Sequence, residues 1–124
     1  MKLIIFFAFM TMVSTPVIAN ESVYSKNFNE CMSSAEGVTL AMRACYADES
    51  ATQDKRLNLN YKRYIAKLSP ETKNNFVNAQ RLWIKFRDEN CSAFSSQEEG
   101  GTLSSIVGDS CYLKMTTERA DDFK

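Results

Sequence analysis

Two prolines and four glycines are the only strong backbone breakers in 124 residues, and their positions divide the chain at the outset. No Pro or Gly interrupts residues 39–68, where good helix formers dominate, so this stretch reads as one long helix. Ser69-Pro70-Glu71 is then a joint with a mechanism. Pro70 disfavours helical geometry at Ser69, while Ser69 is placed to cap a new helix with Pro70 at its first position. That third helix is expected over about 70–94. A polar, glycine-bearing loop follows at 95–102, and a fourth helix at about 102–122 has Gly108 as its weak spot. Upstream, Val23, Tyr24, Phe28, Cys31 and Met32 form an apolar stripe on a short first helix that Gly37 ends.

The segment before that helix does not belong to the fold. Met1-Lys2 is positive, residues 3–13 are apolar apart from Thr11, and Val17-Ile18-Ala19 ends in a small residue. This is the pattern of a secretory signal peptide over 1–19, and the apolar run is short for a membrane anchor. The expected mature chain, 20–124, is a single helical domain. Fifteen basic and fifteen acidic residues balance in the full chain, and loss of Lys2 leaves a net charge of −1. No bulk charge therefore supports nucleic-acid binding. The chain has no histidine, which removes Ser-His-Asp and Cys-His nucleophiles, imidazole metal ligands and an imidazole pH switch. No catalytic residue, cofactor or metal is expected. Asp88 and Glu89 are adjacent on a helix, about 100° apart, and cannot flank one glycosidic bond.

The short joint at Ser69-Pro70 predicts a long antiparallel hairpin, about 39–68 against 70–94. Its second-helix stripe is Ala44, Ala47, Ala51, Asp54, Asn58, Tyr61, Ile65 and Leu68. The third-helix stripe is Phe76, Gln80, Trp83, Arg87, Cys91 or Asn90, and Phe94. Around the turn this register sets Ile65 beside Phe76, Tyr61 beside Gln80, Asn58 beside Trp83, Asp54 beside Arg87 and Ala47 beside Phe94. Asp54 and Arg87 become an ion pair in an apolar seam, with Asn58, Tyr61 and Gln80 completing a structural network around Trp83. Tyr46, Tyr112 and Phe123 fall off these stripes, either on an interface or under a neighbouring helix.

Four cysteines in a small exported domain read as two disulfides, with three possible pairings. Their separations are too wide for a four-thiolate zinc site. The hairpin register puts Cys45 opposite position 96, roughly 7.5 Å along the axis from Cys91, so a bridge between those two is strained. The expected pairing is Cys31–Cys45, tying the first helix to the start of the second, with Cys91–Cys111, tying the end of the third helix to the middle of the fourth; each closes a short loop worth roughly 3 kcal/mol. The expected fold class is all-α: a small disulfide-stapled helical bundle, with the long hairpin plus a short N-terminal and a C-terminal helix.

Cys31 … Cys45, Asp54-x-x-Leu57-Asn58-x-x-Tyr61, Ala79-Gln80-Arg81-x-Trp83-x-x-x-Arg87-Asp88-x-x-Cys91, Gly100-Gly101-Thr102 and Cys111 … Thr116-x-x-Arg119 together resemble the LprI-like lysozyme-inhibitor family. The resemblance spans nearly the whole of 20–124. It implies an exported, non-enzymatic protein that binds and blocks lysozyme-like peptidoglycan hydrolases. No cysteine lies at the expected cleavage point, so the implied form is soluble and periplasmic, not lipid-anchored. A related expectation is an immunity protein against a muramidase effector delivered by a type VI secretion system. The alternative is a non-catalytic envelope structural or stress-related module that binds another protein or forms a homodimer.

An inhibitor needs a rigid, protruding surface, because pre-ordering lowers the entropy cost of binding. The candidate is Ser95, Ser96, Gln97, Glu98, Glu99, Gly100, Gly101 and Thr102, held at both ends by a Cys91–Cys111 bridge. Glu98 and Glu99 would steer a cationic lysozyme, and the hydroxyls of Ser95, Ser96 and Thr102 would hydrogen-bond its acidic pair.

Overall fold

The computed structural model describes residues 23–124 except Glu99. The expected signal peptide over 1–19 lies outside the described residues. Four helices follow one another: α1 Lys26–Ser34, α2 Thr39–Ile65, α3 Pro70–Ser96 and α4 Thr102–Asp121. Among the described residues there is no strand.

Local chemistry sets the helix boundaries. Ser25 caps α1 by accepting from the Phe28 amide at 3.1 Å, and Ser69 caps α3 by accepting from the Thr72 amide at 3.3 Å, with Pro70 in the first turn. Glu36 (φ 47°) and Gly37 (φ 80°) reverse the chain between α1 and α2 through left-handed backbone. α2 stops at Ile65, three residues short of the expected end, and α3 continues to Ser96. The loop before α4 therefore shrinks to 97–101. Val23 precedes α1 and is exposed, so it leaves the expected apolar stripe.

The helical class and both disulfides are as the sequence implies: Cys31–Cys45 with Cα atoms 5.7 Å apart, and Cys91–Cys111 at 5.5 Å. The packing of the long helices differs. α4 packs against both α2 and α3, and α1 packs on α2. α4 runs parallel to α2, as Arg43–Asp109, Arg56–Asp121 and Asn60–Ala120 contacts show, and antiparallel to α3, as Ser95–Ser104 and Gln80–Arg119 contacts show. The expected seam between α2 and α3 is thus largely replaced by two seams with α4. The correction is visible on α2, whose buried residues are Cys45, Glu49, Gln53 and Leu57. Ala44, Ala47, Ala51 and Asn58 are exposed. The stripe rule assumed one partner for α2, whereas α2 turns its face toward α1 and α4 together.

The core has two apolar clusters. Phe28, Ala35, Cys45 and Leu113 form one, flanked by Tyr24, Met32, Ala41, Met42 and Tyr46. Leu57, Ala120 and Phe123 form the other, flanked by Tyr61, Tyr64, Phe76 and Trp83. Glu49, Gln53, Gln80, Arg87, Thr116 and Thr117 are buried polar residues of the same interior. Among the described residues, no helix is long and apolar enough to cross a membrane.

Candidate functional site

The loop 97–101 stands on a braced base. Ser95 Oγ donates to Ser104 O at 2.8 Å, and Ser104 Oγ donates back to Ser95 O at 2.9 Å. A Cβ on Gly108 would meet the Ser95 side chain at 3.4 Å. The residue that reads as a weak spot in α4 is therefore a point where α3 and α4 approach closely beneath the loop. One further turn of helix away sits the Cys91–Cys111 bridge. Gly100 takes φ +73°, with open space where a Cβ would lie, so its freedom is conformational and not steric.

The structure reassigns several loop residues. Ser95 and Ser96 belong to α3, and Thr102 opens α4. Ser95 is spent on the loop base, and Ser96 Oγ donates to Ala93 O at 2.7 Å. The tip is Gln97, Glu98, Glu99, Gly100 and Gly101. Gln97, Glu98, Gly100 and Gly101 are exposed, as is Thr102, while Glu99 lies outside the described residues. Exposed Phe94 and Leu103, 50% and 54% accessible, flank the tip and were not on the expected list of contact residues.

Arg87 anchors the middle of the bundle. Its guanidinium lies 3.6 Å from Asp54 Oδ1, donates to Asp88 Oδ1 at 2.9 Å and to Thr116 Oγ1 at 3.3 Å. It also stacks 3.9 Å above the Tyr112 ring and 5.2 Å from Trp83. Tyr112 in turn donates to Asp54 Oδ2 at 2.9 Å. Burial pushes the Tyr112 hydroxyl above its ordinary pKa, and the bond to Asp54 pushes in the same direction. It therefore acts as a fixed donor at neutral pH. Gln80 accepts from Arg119 Nε at 2.9 Å, and Arg119 lies 5.5 Å from the Trp83 ring and 4.6 Å from Phe123.

Asp54, Trp83 and Arg87 thus come together, and Gln80 joins them through Arg119. Asn58 does not, since it is exposed on a shallow wall with Lys55, Leu59 and Lys62. Tyr61 packs its ring on Phe123, 5.2 Å between centroids, in place of facing Gln80. Ala47 and Phe94 are both exposed and form no packed pair. The off-stripe aromatics go inward: Phe123 is buried, Tyr46 packs 5.4 Å from Phe28, and Tyr112 covers Arg87. Most of these differences follow from α4 lying between the hairpin arms, while Tyr46 is drawn in by Phe28 of α1.

A second polar group involves residues that the sequence reading passed over. Glu49, 3% exposed, accepts from the Ser25 amide at 3.0 Å, from Ser25 Oγ and from Gln53 Nε2 at 2.8 Å. Burial raises its pKa, but these three bonds and nearby Arg56 outweigh burial and hold the carboxyl below its usual value. Arg56 donates to Gln53 Oε1, to Thr117 O and to Asp121 Oδ1, tying α2 to the end of α4. The available signal was the i, i+4 spacing of Cys45, Glu49, Gln53 and Leu57, one residue off the stripe of small alanines. A cavity of about 230 Å³ lies beside this group, lined by Ser25, Phe28, Cys31, Cys45, Asp48 and Glu49. Both networks are internally paired and brace the helices. Among the described residues no group of acidic or cysteine side chains is arranged to hold a metal ion.

The lysozyme-inhibitor LprI family model matches residues 31–123. No curated protein and no solved structure matches the chain. The matched span contains both cystines, the Arg87 cluster and the loop 97–101, and over that span the chain belongs to the LprI family of lysozyme inhibitors.

Proposed function

We propose that the protein is a non-catalytic, exported periplasmic inhibitor that binds lysozyme-like peptidoglycan hydrolases, with the loop 97–101 as its docking tip. The family match over 31–123 is the observation that carries this reading. The loop supports it physically. Its base is fixed by a cystine, by reciprocal serine bonds and by the close approach at Gly108, so little conformational freedom remains to be lost on binding. Paired disulfides fit an oxidising compartment outside the cytoplasm. Acidic Glu98 and Glu99 give the tip a charge complementary to a cationic enzyme. The protein then works by occupying a cleft, and the polar networks of its interior keep the tip in place.

The target is a hydrolase of a host or of a rival bacterium; the immunity reading assigns it to a type VI muramidase effector. Purified 20–124 is mixed with a c-type lysozyme and with a muramidase effector domain, and lysis of cell-wall suspensions is followed. Stoichiometric loss of activity is expected with at least one of them. Full activity of both in molar excess of the protein overturns the proposal. Glu98→Ala combined with Glu99→Ala weakens binding while leaving the melting temperature unchanged; unaltered affinity removes the loop from the interface.

A further inference from the structure

We propose that the hydrolase-binding surface extends beyond the loop 97–101 to the whole cystine end of the bundle, with the α1–α2 turn and its exposed Val38 and Leu40 as a second docking arm. The inference rests on the inhibitor reading above and names where the same partner sits.

The first argument is position. Arg43 Nε donates to Asp109 Oδ2 at 2.8 Å, which sets the start of α2 beside the early turns of α4. The Ser95–Ser104 bonds set the end of α3 at the start of α4. Contacts of Ser25 with Glu49 and of Cys31 with Cys45 run α1 antiparallel to α2. The α1–α2 turn and the loop 97–101 therefore emerge from the same end.

The second argument is construction. Each turn carries left-handed backbone, at Glu36 and Gly37 in one and at Gly100 in the other. Each is clamped just behind by its own disulfide. Fixing one tip serves a single loop; fixing two adjacent tips presents a composite surface of set shape.

The third argument is composition. Leu40 is 79% and Val38 58% exposed, and with Phe94 and Leu103 they put four large apolar side chains in solvent around two turns. Such exposed apolar groups rimmed by polar ones mark interaction surfaces. Residues 27–42 include Glu30 and Glu36 but no Lys or Arg, and residues 88–113 include Asp88, Glu89, Glu98, Glu99 and Asp109 but again no Lys or Arg. By contrast, 55–73 holds six basic residues and one acidic residue at the opposite end. A mature chain with a net charge of only −1 is thus polarised along its length, and its acidic, apolar end suits a cationic enzyme. Size agrees: a five-residue tip supplies only part of the roughly 800 Å² that a standard interface takes from each partner.

The test measures affinity and association rate of full-length mature protein, 20–124, for a c-type lysozyme and a muramidase effector domain. Leu40→Lys places a like charge and removes an apolar contact at a residue whose exposure makes misfolding inconsequential. It should weaken binding to the inhibited enzyme about tenfold or more. Leu82→Lys, equally exposed on α3 but away from this end, should leave affinity within twofold. Glu36→Gln should slow association at low salt and lose that effect at high salt. Wild-type affinity in Leu40→Lys and in Glu36→Gln overturns the second arm while leaving the loop proposal standing. Equal losses in Leu40→Lys and Leu82→Lys overturn it too. Absence of any binding by the wild type to either enzyme overturns the inhibitor reading and this inference together.

Discussion

At the Ser69-Pro70 end, α2, α3 and α4 are joined by rings. Tyr61, Tyr64 and Phe76 converge on Phe123 with centroid separations of 5.2, 5.3 and 6.3 Å, and Arg119 stacks on the same ring. At the opposite end two cystines link the helices beside the Phe28 and Leu113 cluster, and Leu40, Phe94 and Leu103 turn outward. One end is held by packed rings, and the other adds covalent links to its apolar cluster while leaving some apolar residues in solvent. A small domain cannot bury everything.

The comparison breaks most sharply under paired substitutions. Phe123→Ala removes a buried ring from the aromatic end and should cost about 3–5 kcal/mol of stability, read as a lower urea midpoint, while leaving affinity for the hydrolase intact in the folded fraction. Replacing Cys91 and Cys111 together by Ala should cost about 3 kcal/mol and also weaken binding, because the loop base loses its clamp. If the ring deletion lowers affinity and the cystine deletion does not, the division of labour between the two ends is wrong.

Sequence reasoning read the covalent frame better than the packing. Among the described residues the breakers Gly37, Pro70, Gly100 and Gly101 mark every chain reversal, and the pairing that ties neighbouring helices is the one seen. The register of the hairpin found Asp54 beside Arg87, since both lie where α2 and α3 side chains still meet across α4. It misplaced Asn58 and Ala47 because a two-helix rule has no place for a third helix. Tyr112, Thr116 and Arg119, which complete the central cluster, lie on that third helix. Ser25 and Glu49 were missed for another reason. A glutamate on a charged helix reads as solvated until a cap residue from a distant element is known to reach it.

The Glu49 group comes next, because it fastens α1 and with it the proposed second docking arm. Its folded pKa lies below the ordinary glutamate value of about 4.3, so its stabilisation is fully present above that value and is lost as pH falls through the lower folded one. Asp121, held down by its bond to Lys124 and by Arg56, acts in the same direction. Glu49→Gln should cost about 2 kcal/mol at pH 7, where it replaces a charge-assisted acceptor. The gap from wild type should narrow on acidification, as melting temperatures between pH 7 and pH 3 would show. A gap that stays constant would mean that the carboxylate charge contributes nothing and that only shape is lost.

The smallest expected effect separates fold from function at one residue. Glu36 sits at φ 47°, a left-handed conformation that an L side chain adopts at a cost, next to Gly37 at φ 80°. Glu36→Gly relieves that cost and loses a little to unfolded-chain entropy, so the net change should be a stabilisation of about 0.5 kcal/mol, seen as a rise in melting temperature of a few degrees. Gly37→Ala should move the other way by about 1 kcal/mol. A glutamate that lowers stability where glycine would raise it is explained if its charge is used, and the proposed second docking arm would use it for steering. Glu36→Gly should then yield a more stable protein that associates more slowly with its hydrolase at low salt. A variant that is both more stable and equally fast would leave the strained glutamate without a role in binding and would shrink the interface back toward the loop 97–101.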